Sequence, residues 1–300
     1  MTSIKNIDLK DFRQSGAGAN GCSYDSLSDP DLMVKLYNCD YPVAAIHEEL
    51  EVAEKVFRLG IPSPKPGELV TDGDRFGILF RRIRSKRSFS RMLSDEPERV
   101  EEFTREFAGW CKKIHNTVCP EGLFPDAKEQ FLDLLDKNPW ITGNCRSRME
   151  DFIRNVPDAG ACLHGDMHFG NVLSTLPPGA PLSRKHDCYF IDLGYFCRGC
   201  PLFDIGMVQC ICLYCDEEFR QKEFHITGEL AAKAWNIFLD EYFFGEDHLA
   251  DRYFGPGKTL DAVSREIIPY MCCKFLLVGY NVGSMPPNYM KIISDTFGRD

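Results

Sequence analysis

The sequence has little positive charge for its length. Its 300 residues contain 35 lysine and arginine residues against 45 aspartate and glutamate residues, so the net charge at pH 7 is -10. Nucleic-acid-binding proteins usually present a basic face, so this excess of acid argues against a nucleic-acid partner. It also argues against an anionic membrane surface. A cationic small-molecule substrate would suit the same charge.

Features that would direct the chain out of the cytoplasm are lacking as well. The first residues, MTSIKNIDLKDFRQ, contain no apolar stretch of the kind found in secretory signal peptides. No uninterrupted apolar run approaches the roughly 20 residues that a membrane helix needs. We therefore expect the fourteen cysteines to be reduced thiols in a cytoplasmic protein, most of which fill apolar space.

Length and residue pattern predict two lobes, because 300 residues exceed the usual size of one hydrophobic core. A β-rich lobe is predicted at residues 1–84 and a mainly helical lobe at 85–300. The elements predicted in the first lobe are a hairpin with a glycine-rich turn, a helix and two further strands, at residues 11–37, 43–59, 67–71 and 76–83. Those predicted in the second lobe are a β-hairpin insert with strands at 171–174 and 188–193 and helices at 97–116, 126–137, 145–155, 204–222, 226–244 and 260–280.

Three oxygen-bearing side chains surround the predicted hairpin insert. Asp166 and Asn171 lie five residues apart in the segment HGDMHFGN, and Asp192 follows the second hairpin strand in the segment IDLG. Phosphoryl transfer needs a carboxylate that orients the attacking hydroxyl and oxygen ligands that hold Mg²⁺ on the phosphates. The pattern therefore predicts that these side chains converge in a site for phosphoryl transfer.

A glycine-rich segment and a lysine upstream fit the same chemistry. Gly16, Gly18 and Gly21 form the pattern G-x-G-x-x-G, in which backbone N–H groups can approach phosphates without an intervening side chain. A Rossmann site would need a helix after these glycines, but a predicted strand that carries Lys35 follows instead. This order is typical of the phosphate-binding loop of a kinase.

The predicted helix at 43–59 offers a partner for Lys35. The residues that recur at helical spacing on its apolar face are Ile46, Leu50, Ala53 and Phe57. Glu49 falls at the edge of this face, where its carboxylate would reach the Lys35 ammonium group. Glu54 also flanks the face and is the second candidate.

These motifs resemble those of the aminoglycoside phosphotransferase and choline kinase superfamily. Members carry HGD-x-x-x-x-N, then I-D-[FLW]-G, then G-x-P-x-x-D, and this sequence has HGDMHFGN, IDLG and GCPLFD in that order. The resemblance covers residues 16–211 and is to an uncharacterised bacterial branch. It implies an α+β, two-lobed protein-kinase-like fold, with a small antiparallel β lobe and a larger helical lobe that carries a β-hairpin insert. The implied reaction is ATP- and Mg²⁺-dependent phosphorylation of a hydroxyl group on a small molecule.

The resemblance also implies a role for each residue that matches a motif. Asp166 would be the catalytic base, and Asn171 and Asp192 would be the Mg²⁺ ligands. Lys35 would contact the α- and β-phosphates of ATP while Glu49 pairs with it. The glycine-rich turn would cover the phosphates.

Further positions carry binding or structural roles by the same resemblance. The backbone of Arg82 and Ile83 would bind adenine, although the family often has glutamate where this chain has Arg82. His164 would brace the catalytic loop, and His115 would pack below it. Asp204 would accept hydrogen bonds from the backbone of the loop while it caps a helix that begins at the next residue.

Aromatic residues of the second lobe are candidates for the wall of the acceptor site. They follow the IDLG motif or lie in the helices beyond residue 226, and they are Tyr195, Phe196, Trp235, Tyr242 and Tyr270. Together they would form a cage for a quaternary ammonium group. Aromatic residues at such positions more often belong to the core.

Three other functions fit the sequence less well. Cys197-x-x-Cys200 and Cys212-x-x-Cys215 have the spacing of a tetrahedral zinc site, but one pair lies inside the kinase-like motif and the other in an apolar helix. A protein kinase would have HRD and an A-P-E segment, whereas this chain has HGD and lacks that segment. A non-catalytic pseudokinase scaffold would have lost some of the motif residues, and all of them are present.

Overall fold

The chain forms two compact units in the computed structural model, which describes residues 4–18 and 20–298. The first unit contains the residues up to Arg87 together with Val172–Gly194. The second contains Ser88–Asn171 together with the residues from Tyr195 onward. The hairpin that follows Asn171 is thus grouped with the first unit, and a lobe boundary between residues 84 and 85 stays a prediction.

A six-stranded sheet forms most of the first unit. Its strands are β1 (Lys5–Asn6), β2 (Phe12–Gly18), β3 (Gly21–Ser26), β4 (Leu32–Tyr37), β5 (Pro66–Thr71) and β6 (Phe76–Arg81). Their order is β1-β5-β6-β4-β3-β2, with β1 parallel to β5 and the other pairs antiparallel. The predicted hairpin at 11–37 therefore holds three strands instead of two. The second turn arises where Asp29 donates its backbone N–H to the Ser26 hydroxyl and Pro30 interrupts the strand.

The side chains along β4 alternate between the two faces of the sheet, and this alternation sets the direction in which the Lys35 side chain points. Val34 and Leu36 point into one core cluster of the unit, and Tyr37 packs on the opposite face against Ile46. Ile46 belongs to helix α1 (Val43–Arg58). Because side chains two residues apart on a strand share a face, Lys35 lies on the same face as Tyr37 and points toward α1.

The buried face of α1 differs from the prediction at one position. Ile46 and Ala53 are buried as expected, but Phe57 is 40% exposed and Val56 is fully buried in its place. The face that meets the sheet therefore continues from Ala53 to Val56 at i, i+3 spacing, and the prediction for Phe57 was wrong.

The second unit is mainly helical. Its helices are α2 (Phe89–Asp95), α3 (Val100–His115), α4 (Ala127–Asp136), α5 (Gly143–Asn155), α6 (Leu202–Gln209), α7 (Glu217–Phe224), α8 (Gly228–Phe244), α9 (Leu249–Phe254), α10 (Leu260–Val282) and α11 (Pro287–Phe297). The remaining strands of the chain are β7 (Arg87–Ser88), β8 (Ala161–Leu163), β9 (Val172–Ser174), β10 (Cys188–Phe190) and β11 (Cys197–Gly199). The pairs β9–β10 and β8–β11 are antiparallel. No helix within residues 4–18 and 20–298 is long and apolar enough to cross a bilayer.

The prediction of one continuous helix at 204–222 was wrong. The segment is divided into α6, a π-helical turn at Cys210–Tyr214, and α7. The break occurs because the Asp216 carboxylate accepts a hydrogen bond from the backbone N–H of Phe219 and so begins a new helix. Helices α2, α9 and α11 were not predicted.

Candidate active site

A three-membered ion-pair cluster lies in the first unit. The Lys35 Nζ donates to Glu49 Oε1 and to Asp192 Oδ1, each at 2.8 Å. The Lys35–Glu49 pair expected from helix geometry is thus present, whereas Glu54 pairs with Arg58 instead. Burial lowers the pKa of Lys35, but the two carboxylates outweigh it and raise that pKa well above its ordinary value. Lys35 is therefore a fixed cation.

Asp192 is held in an unusual backbone conformation. Its φ of 56° lies in the left-handed region, which non-glycine residues seldom adopt. Such strain persists only where surrounding contacts hold it, and it is concentrated at functional sites. The half-exposed Asp192 carboxylate is thereby kept against Lys35 and still reaches solvent.

The glycine-rich turn has one glycine that the fold itself requires. A Cβ at Gly21 would overlap the Leu36 carbonyl oxygen of the adjacent strand. A Cβ at Gly16 or Gly18 would make only ordinary contacts, so the packing of the described residues leaves both positions open to larger side chains. The lack of side chains at Gly16 and Gly18 leaves their backbone open to close approach by another group. Ala19, between them and Gly21, lies outside the described residues.

The segment expected to bind adenine follows β6. The Arg82 backbone N–H donates to the Asp31 carbonyl at 2.7 Å, and the Arg82 guanidinium pairs with buried Asp25 at the same distance. The Arg82 N–H is therefore engaged within the unit. Among the described residues none accepts a hydrogen bond from the Ile83 N–H, so it and the Arg82 carbonyl are the backbone groups available to a ligand.

The loop His164–Asn171 of the second unit, expected to be the catalytic loop, is anchored by its own hydrophobic residues. Met167 and Phe169 are buried, and the Phe169 ring packs against Phe107 of α3 with ring centroids 4.2 Å apart. Gly165 has a φ of 81°, and a Cβ there would overlap the carbonyl oxygen of Tyr195. The loop backbone is thus fixed by packing on one side and by close approach on the other.

A buried carboxylate holds the start of this loop. Asp204 is 0% exposed and accepts hydrogen bonds from the backbone N–H groups of His164 and Gly165, at 2.7 and 2.9 Å. It also lies 3.2 Å from His115 Nε2, while His115 Nδ1 lies 2.8 Å from the Tyr242 hydroxyl. Asp204 lies within the first turn of α6 rather than before the helix, so the capping role expected for it was wrong.

Asp166 lies in a polar pocket formed by its own loop. The Asn171 Nδ2 donates to the Asp166 backbone carbonyl at 2.9 Å and to its Oδ2 at 3.3 Å. The His168 Nδ1 accepts from the Gly170 N–H, which places the proton of a neutral ring on Nε2, 3.7 Å from Asp166 Oδ2. His168 was not considered in the sequence analysis.

The surroundings keep Asp166 ionised. Burial by itself raises the pKa of its carboxyl, but the neighbouring His168, His164 and Lys274 outweigh burial and lower that pKa to about 2. The folded chain therefore holds this proton less tightly than the unfolded chain does. The resulting stabilisation is present above the ordinary pKa and is lost as the pH falls through about 2.

The His168→Asn variant is expected to raise the pKa of Asp166, because burial would then be opposed by His164 and Lys274 alone. The pH dependence of kcat/KM with ATP and an accepted hydroxyl compound would show it, as an acid limb displaced to higher pH than in the wild type. The matched control is His47→Asn, since His47 is exposed on α1. Superimposable acid limbs in the two variants would contradict the prediction.

The donor atoms suit a hard cation. The Asn171 amide uses its Nδ2 on Asp166, and within the described part of the chain no residue donates a hydrogen bond to its Oδ1. Asp192 offers carboxylate oxygen. Mg²⁺ prefers such oxygen ligands, so the residues present fit this metal.

Comparisons with known proteins agree with this chemistry. A sequence model of the phosphotransferase enzyme family (APH) matches residues 22–235. The chain belongs to this family. No curated protein sequence matches it.

Solved structures show the fold of this phosphotransferase-family chain. A thermostable mutant of APH(4)-Ia, in ternary complex with AMP-PNP and hygromycin B, is 10% identical with a TM-score of 0.59, covering 96% of this chain and 95% of its own. ADP-bound APH(2'')-Ib is 15% identical with a TM-score of 0.57, covering 95% and 91%. APH(3'')-Id from Streptomyces rimosus, with ADP and streptomycin, is 17% identical with a TM-score of 0.52, covering 88% and 99%. The predicted α+β kinase-like fold and superfamily are confirmed.

The zinc site and the aromatic cage considered for this family member are not supported by the positions of their residues. The sulfur atoms of Cys197, Cys200, Cys212 and Cys215 are not gathered at metal-binding distance from one another among the described residues. All fourteen cysteines are free thiols. Trp235 and Tyr242 are 2% and 1% exposed, so both belong to the core, which is the alternative that the sequence favoured over the cage.

Proposed function

We propose that this chain is a cytoplasmic kinase that uses ATP and Mg²⁺ to phosphorylate a hydroxyl group of a small molecule. The proposal is carried by Asp166, a carboxylate that stays ionised on a rigid loop of the HGD-x-x-x-x-N type. Because its low pKa keeps it ionised at neutral pH, it would accept a hydrogen bond from the acceptor hydroxyl, orient that group and take up its proton as the new bond forms. The free thiols suit a reducing compartment.

The reaction would be an in-line displacement. The oxygen of the acceptor attacks the γ-phosphorus of ATP, its proton passes to the Asp166 carboxylate, and the bond between the γ-phosphorus and the bridging oxygen breaks to release ADP. Asn171 and Asp192 would supply oxygen ligands to Mg²⁺, which neutralises phosphate charge when bound. The chain contributes mainly position and fixed charge.

The first unit would bind the nucleotide. Lys35, fixed by Glu49, would direct its ammonium group to the α- and β-phosphates. Gly16, Gly18 and Gly21 would bring backbone N–H groups to the phosphates, and the backbone of Arg82 and Ile83 would meet adenine. In support, relatives of the same fold were solved with AMP-PNP or ADP.

A panel of hydroxyl compounds tests the proposal directly. Sugars, amino alcohols, hydroxy acids and aminoglycosides would each be incubated with the protein, ATP and Mg²⁺, and ADP release would be measured. Acceptor-dependent ADP release that requires Mg²⁺ is expected. A chain that binds nucleotide but turns it over with no acceptor would be a scaffold, and the enzyme proposal would fail.

The Lys35→Met variant is expected to bind nucleotide at least about tenfold more weakly, because a charge-assisted hydrogen bond contributes about 1.5–3 kcal/mol. The ADP-induced rise in melting temperature, titrated with and without Mg²⁺, measures this loss. Lys55→Met is the matched control, since Lys55 lies on α1 and pairs only loosely with exposed Glu51. Equal ADP affinity in Lys35→Met and wild type would refute the role of Lys35.

A further inference from the structure

A small cleft opens beside the catalytic loop within the second unit. Its volume is about 190 Å³, and α4, α10 and the loop glycine Gly165 contribute to its walls. Tyr195, which is partly exposed, lines it as well. Clefts that bind drug-sized ligands usually measure about 300–1,000 Å³, so this one suits a smaller molecule.

The cleft contains a buried cation. Lys274 of α10 is only 4% exposed, and its Nζ donates to the Gly165 carbonyl oxygen at 2.7 Å. The ammonium also lies 5.0 Å from the centroid of the Phe131 ring. An ammonium group has three N–H donors, and Gly165 is its one hydrogen-bond acceptor among the described residues. A desolvated cation with unused donors is costly unless a further acceptor completes its shell.

The other charged groups around the cleft leave the Lys274 ammonium group available to a ligand. Asp133 is the one carboxylate among the described lining residues, and it already pairs with Lys137 at 2.6 Å. The carboxylates of Asp166 and Asp204 interact electrostatically with Lys274, whose charge lowers the pKa of both. Both are engaged by the loop itself, through Asn171 and through backbone N–H groups.

We propose that Lys274 binds the carboxylate of a small hydroxy acid whose hydroxyl group is the phosphate acceptor. The inference rests on the proposed function and narrows its substrate class. Lys274 holds the backbone of Gly165, the residue before Asp166, so a carboxylate bound to it would lie near the catalytic base. The unused donors of Lys274 match carboxylate oxygens and repel an ammonium group.

Matched acceptors test the inference on the wild-type protein. Glycerate and 4-hydroxybutyrate would be compared with the neutral alcohols glycerol and 1,4-butanediol, with the cation 4-amino-1-butanol, and with streptomycin. We expect kcat/KM for the better hydroxy acid to exceed that of its neutral and cationic counterparts by about tenfold or more. Preference for the neutral or cationic compounds, or no turnover of either hydroxy acid, would overturn the inference.

Two variants with opposite charge changes sharpen this test. Lys274→Met should lower kcat/KM for the hydroxy acid by about tenfold or more and reduce its advantage over the neutral alcohol. Asp133→Asn, which removes the one carboxylate that lines the cleft among the described residues, should increase that advantage. Unchanged preference in Lys274→Met, or a loss confined to Asp133→Asn, would overturn the inference. The ADP-induced rise in melting temperature shows whether each variant is folded. If a variant is not folded, the comparison of acceptors on the wild-type protein decides the inference.

The two proposals fail in different ways. Phosphorylation of alcohols or aminoglycosides in preference to hydroxy acids would remove the role of Lys274 while the kinase function stands. Absence of nucleotide binding and of acceptor-dependent turnover with every compound would remove both.

Discussion

The Asp166→Asn variant is expected to lose about 10²–10⁴-fold in kcat with any accepted hydroxyl compound. Asparagine has nearly the same shape and can keep the contact with Asn171, but it cannot accept the proton of the attacking hydroxyl. The pKa of about 2 means that the wild-type group is a carboxylate at neutral pH, so the whole enzyme population is competent before the substitution. Steady-state ADP release at saturating ATP and acceptor measures the change.

A substitution far from the loop shows whether the loss of one negative charge, by itself, lowers kcat. Asp151→Asn makes the same change at an exposed position on α5 and should leave kcat as in the wild type. The ADP-induced rise in melting temperature should persist in Asp166→Asn, because in our proposal the first unit binds the nucleotide. A kcat within threefold of the wild type would show that Asp166 is not the base.

Residues close together in the chain could be predicted well. Asp166 and Asn171 share one loop, and their contact follows from a spacing of five residues. The Lys35–Glu49 pair could be predicted because helical periodicity places Glu49 at the edge of the inward face of α1, and the family resemblance supplies Lys35 as its partner. The same loop also contained His168, and its position two residues after Asp166 was a signal that the sequence analysis did not use.

Residues brought together by tertiary packing could not be predicted. Lys274 lies 109 residues from Gly165, in a helix whose neighbouring residues are apolar, so nothing local indicates that its side chain reaches the catalytic loop. Val56 replaces Phe57 in the core because the sheet, and not the helix alone, decides which face is covered. Gly21 fits a phosphate loop by sequence, yet contact with the neighbouring strand is a sufficient reason for its glycine.

Asp204 fixes the loop His164–Asn171 from within the core of the second unit. Its carboxylate is fully buried and binds two backbone N–H groups of the loop, which it fixes at the residues just before Asp166. Burial raises the pKa of this carboxyl, but hydrogen bonding to His115 and the charges of His115, Lys274 and His164 outweigh it and hold the pKa below its ordinary value. A low pKa in the folded chain means that the ionised form stabilises the fold.

The Asp204→Asn variant is therefore expected to lose about 3–5 kcal/mol of unfolding free energy, since removal of one partner leaves a buried polar network uncompensated. The carboxylate now accepts hydrogen bonds from two N–H groups of the loop. The amide of asparagine would turn N–H donors of its own toward those groups. Urea denaturation at pH 7 measures the loss, with Asp216→Asn as the control, because asparagine caps a helix about as well as aspartate. Equal stability of the two variants would contradict the role of Asp204.

The pH dependence of this difference distinguishes charge from shape. Because the folded pKa of Asp204 is depressed, the wild type gains from the ionised group above the ordinary pKa and loses that gain as the pH falls through the folded value. The stability gap between wild type and Asp204→Asn should therefore narrow in acid, whereas a gap caused only by the misplaced amide donors would stay constant. A narrowing gap would show that the negative charge of Asp204, and not merely its shape, fixes the loop that carries Asp166.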